Sequence, residues 1–198
     1  MYKPLLNNSY PVHIMGCHIN KKDITMSLTL AQFNDLSQEV AIAQLLICCT
    51  SSVWANKLAN ARPFADFDAL LANSDAIWHD VQTNEANLLE AFDGHPQIGN
   101  VASLKEKYRN TQDSAAHEQS GANDAADDVL EALAKGNQDY LDKFGFIFIV
   151  FATGKSAAQM LDLLLARLPN DRATELVNAA AEQNKITRLR LSKLLGNA

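Results

Sequence analysis

The residue most suited to chemistry in this chain is His95, held at the centre of Asp93-Gly94-His95-Pro96-Gln97-Ile98-Gly99. Pro96 fixes its own backbone angle and drives His95 out of the helical region, while Gly94 and Gly99 allow turns that a side chain would obstruct. An imidazole on a rigid loop can give and take a proton near neutral pH, so His95 is a candidate general acid or base. Two further residues could serve it. Glu118 sits among the small residues Ala115, Ala116, Ser120, Gly121 and Ala122, where neighbours can approach closely and a carboxylate can face a cavity. Arg190 supplies a cation in the last helical stretch. Composition alone also fits a helix-terminus histidine, a solvated glutamate and an arginine that answers a helix dipole, so spacing leaves both readings open.

Other chemistries fail on spacing. His117-Glu118 would need a histidine at position 121 to bind zinc in the protease manner, and Gly121 stands there. Gly154-Lys155-Ser156 would need a glycine at position 149 to complete a phosphate loop, where Ile149 stands. Ser114 and Ser156 lack a strand-turn-helix elbow, and Cys48 lacks a polarising neighbour. Cys17, Cys48 and Cys49 form no zinc-ligand pattern, so no metal is expected and Cys48 and Cys49 read as small buried hydrophobes.

The elements that must position these residues are all helical by pattern. A short turn over 28–36 leads to an apolar helix capped by Ser37, then a helix over 52–61 with Val53, Trp54 and Leu58 inward. Two short helices are expected over 66–73 and 74–82, the second capped by Ser74, and another over 84–92 capped by Thr83. Helices are expected after the histidine loop at 101–108 and 114–134, with Gly136 ending the latter and Asn137 starting the next. Helices over 156–168 and, capped by Asn170, over 171–195 complete the chain. The run Phe146-Ile147-Phe148-Ile149-Val150-Phe151-Ala152 has strand propensity but no partner strand, so it is expected to be extended or tightly turned, with amides free for a ligand or helix ends. The fold class is therefore all-α, one compact domain of about eight to ten helices without internal repeat.

Composition narrows the function. The 198 residues are 47% hydrophobic and 20% charged, enough for one core. A formal net charge of −6 argues against nucleic-acid or anionic-membrane partners, so an anionic small-molecule substrate must meet local cations. Residues 1–25 lack periodicity and read as an extension outside the core, with Met26 a candidate natural start and residues 26–198 as the domain. The absence of a signal-like apolar run or a membrane-length segment points to a cytoplasmic protein.

Several motifs in order carry a resemblance: His-Pro-Gln-Ile-Gly at 95–99, Ser-Leu-Lys-Glu-Lys-Tyr at 103–108, Glu-Gln-Ser-Gly at 118–121, and Tyr140 with the 143–149 run. They continue in Gly154-Lys155-Ser156, Arg167-Leu168 with Asn170 and Glu175, Lys185-Ile186-Thr187, and Arg190-Leu191. Together these resemble 2-oxo-4-hydroxy-4-carboxy-5-ureidoimidazoline (OHCU) decarboxylase from about Met26 to Leu195. The resemblance implies a cofactor-free helical carboxy-lyase of purine catabolism, a homodimer, acting after urate oxidase and hydroxyisourate hydrolase to give S-allantoin. It implies His95 as proton donor or polariser, Glu118 as its acidic partner beside Gln119, and Arg190 as the cation for substrate. Pro96 and the backbone of Phe148, Ile149, Val150, Phe151 and Ala152 would line the pocket. The family's frequent serine three residues before the glutamate is Ala115 here, with Ser114 one residue earlier. A non-catalytic helical module binding a metabolite or protein, and a decarboxylase of a related ureido acid, are the alternatives; a substrate panel separates them.

Overall fold

The computed structural model describes residues 28–95 and 120–196. Among these the regular elements are eight helices, and no strand forms. They are α1 (Leu30–Asp35), α2 (Gln38–Cys48), α3 (Ser52–Asn60), α4 (Phe67–Val81), α5 (Glu85–Phe92), α6 (Ser120–Phe144), α7 (Ala157–Arg167) and α8 (Arg172–Leu194). The expected helix at 101–108 and the start of the one expected from 114 lie outside the described residues. The chain groups into two compact units, one running to Trp78 and resuming at Thr187, the other spanning His79–Ile186.

In the first unit, local caps set the helix starts. The Thr29 hydroxyl accepts from the Gln32 N–H while the Gln32 side chain accepts from the Thr29 N–H, and Ser37 and Ser51 cap α2 and α3. Phe33, Leu45, Trp54, Leu58 and Leu70 are fully buried, each contributing roughly 1.5–3 kcal/mol of transfer free energy. Arg62 reaches from the end of α3 to the carbonyls of Phe33 and Leu36 at 2.9 and 2.8 Å, adding a charged donor to the acceptors at the end of α1. Expected helices over 66–73 and 74–82 are in fact the single α4. Ser74 does not start a helix: its hydroxyl is buried and accepts from the Trp54 indole N–H at 3.2 Å, while the Asp66 side chain accepts from the Ala69 N–H at the true start.

In the second unit, Asn84 rather than Thr83 caps α5, because the Thr83 hydroxyl donates back to the Asp80 carbonyl. The core is aromatic: Tyr140 lies 4.5 Å from Phe144 and 5.2 Å from Phe148 between ring centroids, and Phe92 lies 5.4 Å from Phe146. Gly136 does not end a helix as expected. It lies within α6, where a Cβ would come 2.6 Å from Leu164 Cδ2, so glycine there permits α6 and α7 to pack closely. The helix ends instead at Gly145, whose φ of +76° suits a residue without a side chain. Nor does Asn170 cap α8; Asp171 accepts from the Thr174 N–H, and Asn170 donates to Glu175.

Candidate active site

His95 sits on the turn that follows α5. Its N–H donates to the Phe92 carbonyl at 3.1 Å, and Phe92 itself is buried, so the turn is tied to a fixed helix end. The imidazole is half-buried, and Nε2 lies 2.5 Å from Oε1 of Gln183 on α8. Gln183 is fully buried on a face that repeats every four residues through Glu175, Ala179, Gln183, Thr187 and Leu191. His95 borders a cleft of about 430 Å³ with apolar walls from Phe92, Leu141, Phe146 and Ile147; among the described residues Asp93 is the other ionisable side chain lining it. A ring whose Nε2 is held in place beside an apolar wall can give or take a proton at a fixed position, as a general acid or base must.

The segment after α6 forms neither helix nor strand, and its backbone groups meet charged side chains. The Phe151 N–H donates to Glu182 at 2.7 Å, the Ile149 carbonyl accepts from Arg167 at 2.8 Å, and the Phe151 carbonyl accepts from Lys155 at 2.8 Å. Phe148 and Ile149 are buried in the core, and Ala152 is half-buried. Val150 and Phe151 line a second cleft, of about 470 Å³, with Lys155, Arg167, Glu182 and Lys185. Burial pushes the Glu182 carboxyl up, but hydrogen bonds from Lys185 and the Phe151 N–H outweigh it and hold the group below the usual carboxylate range.

Arg190 belongs to the first unit, where Nη1 donates to the Cys48 carbonyl at 3.1 Å. Burial pushes the Cys48 thiol up to about 12, against the opposing pull of Arg190, so the sulfur stays protonated and is no nucleophile. Pro96, Glu118 and Gln119 lie outside the described residues. Among the described residues no cluster of histidine, cysteine and acidic side chains could hold a metal ion. Nor is any described helix long and apolar enough to cross a membrane. Motif spacing did not single out Gln183 or Glu182; the available signal was a glutamine recurring at the four-residue spacing of an otherwise mostly small or apolar face.

The family model for OHCU decarboxylase matches residues 34–192. The uric acid degradation bifunctional protein TTL of Arabidopsis thaliana is 36% identical over 162 residues, covering 82% of this chain and 49% of that protein. The 2-oxo-4-hydroxy-4-carboxy-5-ureidoimidazoline decarboxylase of Halalkalicoccus jeotgali is 27% identical over 169 residues, covering 84% and 92%. A crystal structure of OHCU decarboxylase in the presence of (S)-allantoin is 35% identical, covers 81% of this chain and 99% of that one, and superposes with a TM-score of 0.61. The chain spans about half or less of the length of the bifunctional relatives it matches.

Proposed function

The chain belongs to the OHCU decarboxylase family, and we infer that it decarboxylates 2-oxo-4-hydroxy-4-carboxy-5-ureidoimidazoline to S-allantoin, with His95 as proton donor. The match over residues 34–192 carries this reading, and the placement of His95 on a buried acceptor beside an apolar cleft supports it. Breaking the bond to the carboxylate releases CO2 and leaves an electron pair that the adjoining ring C=N bond takes up; this gives an enol, which becomes the carbonyl of allantoin as its hydroxyl loses a proton and the neighbouring ureido-bearing carbon gains one. That chemistry needs no electron sink beyond the substrate's own C=N bond. The protein's tasks are to stabilise the enol or enolate oxygen and to deliver one proton to one face of the ureido-bearing carbon.

In this reading His95 delivers the proton, Glu118 favours the protonated imidazole, and Arg190 holds the anionic substrate, with Gln119 and Pro96 beside them. The Phe148–Ala152 backbone keeps a lining role. The Phe151 amide already serves Glu182, so donors for the enolate come from elsewhere in that segment or from Arg190. The reading also takes residues 26–198 as the catalytic domain, a homodimer in the cytoplasm, supplied by urate oxidase and hydroxyisourate hydrolase.

The test is circular dichroism on urate treated with those two enzymes, with and without this chain. Rapid formation of one allantoin enantiomer is expected, and its loss in His95→Asn with the fold intact assigns the proton to His95. Only the slow racemic background would overturn the reading in favour of a binding module or another substrate.

A further inference from the structure

We propose that Gln183 positions the His95 ring, accepting its Nε2–H and confining the proton cycle to Nδ1. The inference rests on His95 being the proton carrier of the decarboxylation read above. Its basis is the 2.5 Å approach of Nε2 to Gln183 Oε1, from a side chain with no solvent exposure in the interior of α8. A buried amide is costly unless hydrogen-bonded, and a helix interior leaves its Cα no freedom, so the acceptor is fixed in place before any substrate arrives. The contact joins residues 88 positions apart, linking the turn after α5 to α8 within one unit.

The chemistry of the acceptor matters. An amide oxygen accepts but cannot donate, so the nitrogen facing it carries hydrogen in both the neutral and the cationic ring. Gain and loss of the catalytic proton then occur at Nδ1, and the ring need not turn between protonation and release. A carboxylate at the same place would also orient the ring, but would hold the imidazolium's proton more tightly and make a poorer donor. Glutamine orients without that penalty.

Histidine ring nitrogen–proton correlation spectra of the full chain, with His95 assigned through His95→Asn, test this directly. Above the ring's titration, wild type is expected to show a hydrogen-bonded Nε2–H on His95; Gln183→Leu loses it and Gln183→Glu keeps it. In turnover, Gln183→Leu lowers kcat about tenfold or more while KM stays within about twofold, because the proton donor is disordered and substrate contacts are not. Gln183→Glu restores ring order but only part of kcat. A ring proton on Nδ1 in the neutral protein, an Nε2–H signal indifferent to Gln183→Leu, or wild-type kcat in that variant overturns the proposal. If Gln183→Leu does not fold, the wild-type spectrum and Gln183→Glu decide it. Expected spectra without any S-allantoin formation by wild type would uphold the hydrogen bond and sink the decarboxylase reading instead.

Discussion

The Tyr140 hydroxyl donates to Glu175 Oε2 at 2.5 Å, and Arg167 Nε donates to the same oxygen at 2.7 Å. The other carboxylate oxygen accepts from Asn170 and Asn178 at 2.6 and 2.8 Å, so a fully buried charge has every acceptor direction occupied. Burial pushes the Glu175 carboxyl up, and the four hydrogen bonds outweigh it and hold the group below its ordinary value. Because the folded value is the lower one, the stability this group contributes is present above the unfolded value near 4.3 and is lost as pH falls through the folded value. Glu175→Leu is expected to cost about 3–5 kcal/mol at pH 7, since it leaves Arg167 without its partner. Glu175→Gln should be less stable than wild type at pH 7 and flatter in Tm between about pH 5 and 3. Parallel Tm curves for the two proteins across that window would contradict the assignment.

What the sequence disclosed follows how local the cause is. Ser37 announces its helix because a cap acts three residues away, whereas Ser156, expected inside its helix, is instead that helix's cap and forms the reciprocal pair with Gln159. The 146–152 run could be excluded as a strand because no other strand existed to pair with it. His95 stood out because Gly94 and Pro96 flank it, and it lies on the turn after α5. Ser74, Gly136 and Gln183 were misread or passed over because their partners, Trp54, Leu164 and His95, lie 20, 28 and 88 residues away. A capping serine and a serine under an indole are the same letter until packing is known. The backbone partners of the 146–152 run were also hidden, since nothing in the spacing says that Glu182 rather than a ligand takes the Phe151 amide.

Gly136 offers a test of packing against propensity. Alanine is worth about 0.5–1 kcal/mol over glycine in a helix interior, but its Cβ would press on the fully buried Leu164, and overpacking costs typically 1–3 kcal/mol. Gly136→Ala is therefore expected to lose about 1 kcal/mol by denaturant unfolding. In a Leu164→Ala background the same change should stabilise, because the obstructing methyl is gone. A gain in stability in the wild-type background would show that Leu164 yields freely.

Glu182 ties down the segment that runs between α6 and α7. It takes the Phe151 N–H at 2.7 Å and the Lys185 ammonium at 2.5 Å. A hydrogen bond to a charged acceptor is worth about 1.5–3 kcal/mol, so Glu182→Ala should speed exchange of the Phe151 amide by about tenfold or more, with global stability changing less. Glu182→Gln, which keeps an acceptor oxygen, should exchange more slowly than Glu182→Ala. Equal exchange in all three proteins would mean that the aromatic core alone holds this segment.

Arg190 separates binding from structure. Its observed partner is the Cys48 carbonyl at the end of α2, a contact of the kind that satisfies an open helix terminus. The proposed function asks the same side chain to hold an anionic substrate. Arg190→Leu removes both interactions, whereas Arg190→Lys keeps the charge and loses the planar fork. If Arg190 binds substrate, Arg190→Leu raises KM about tenfold or more and Arg190→Lys recovers part of that loss, with both proteins folded by far-ultraviolet circular dichroism. If it serves only the α2 terminus, Tm falls in both variants and KM stays where it was, and the cation that meets the substrate has to be sought elsewhere in the chain.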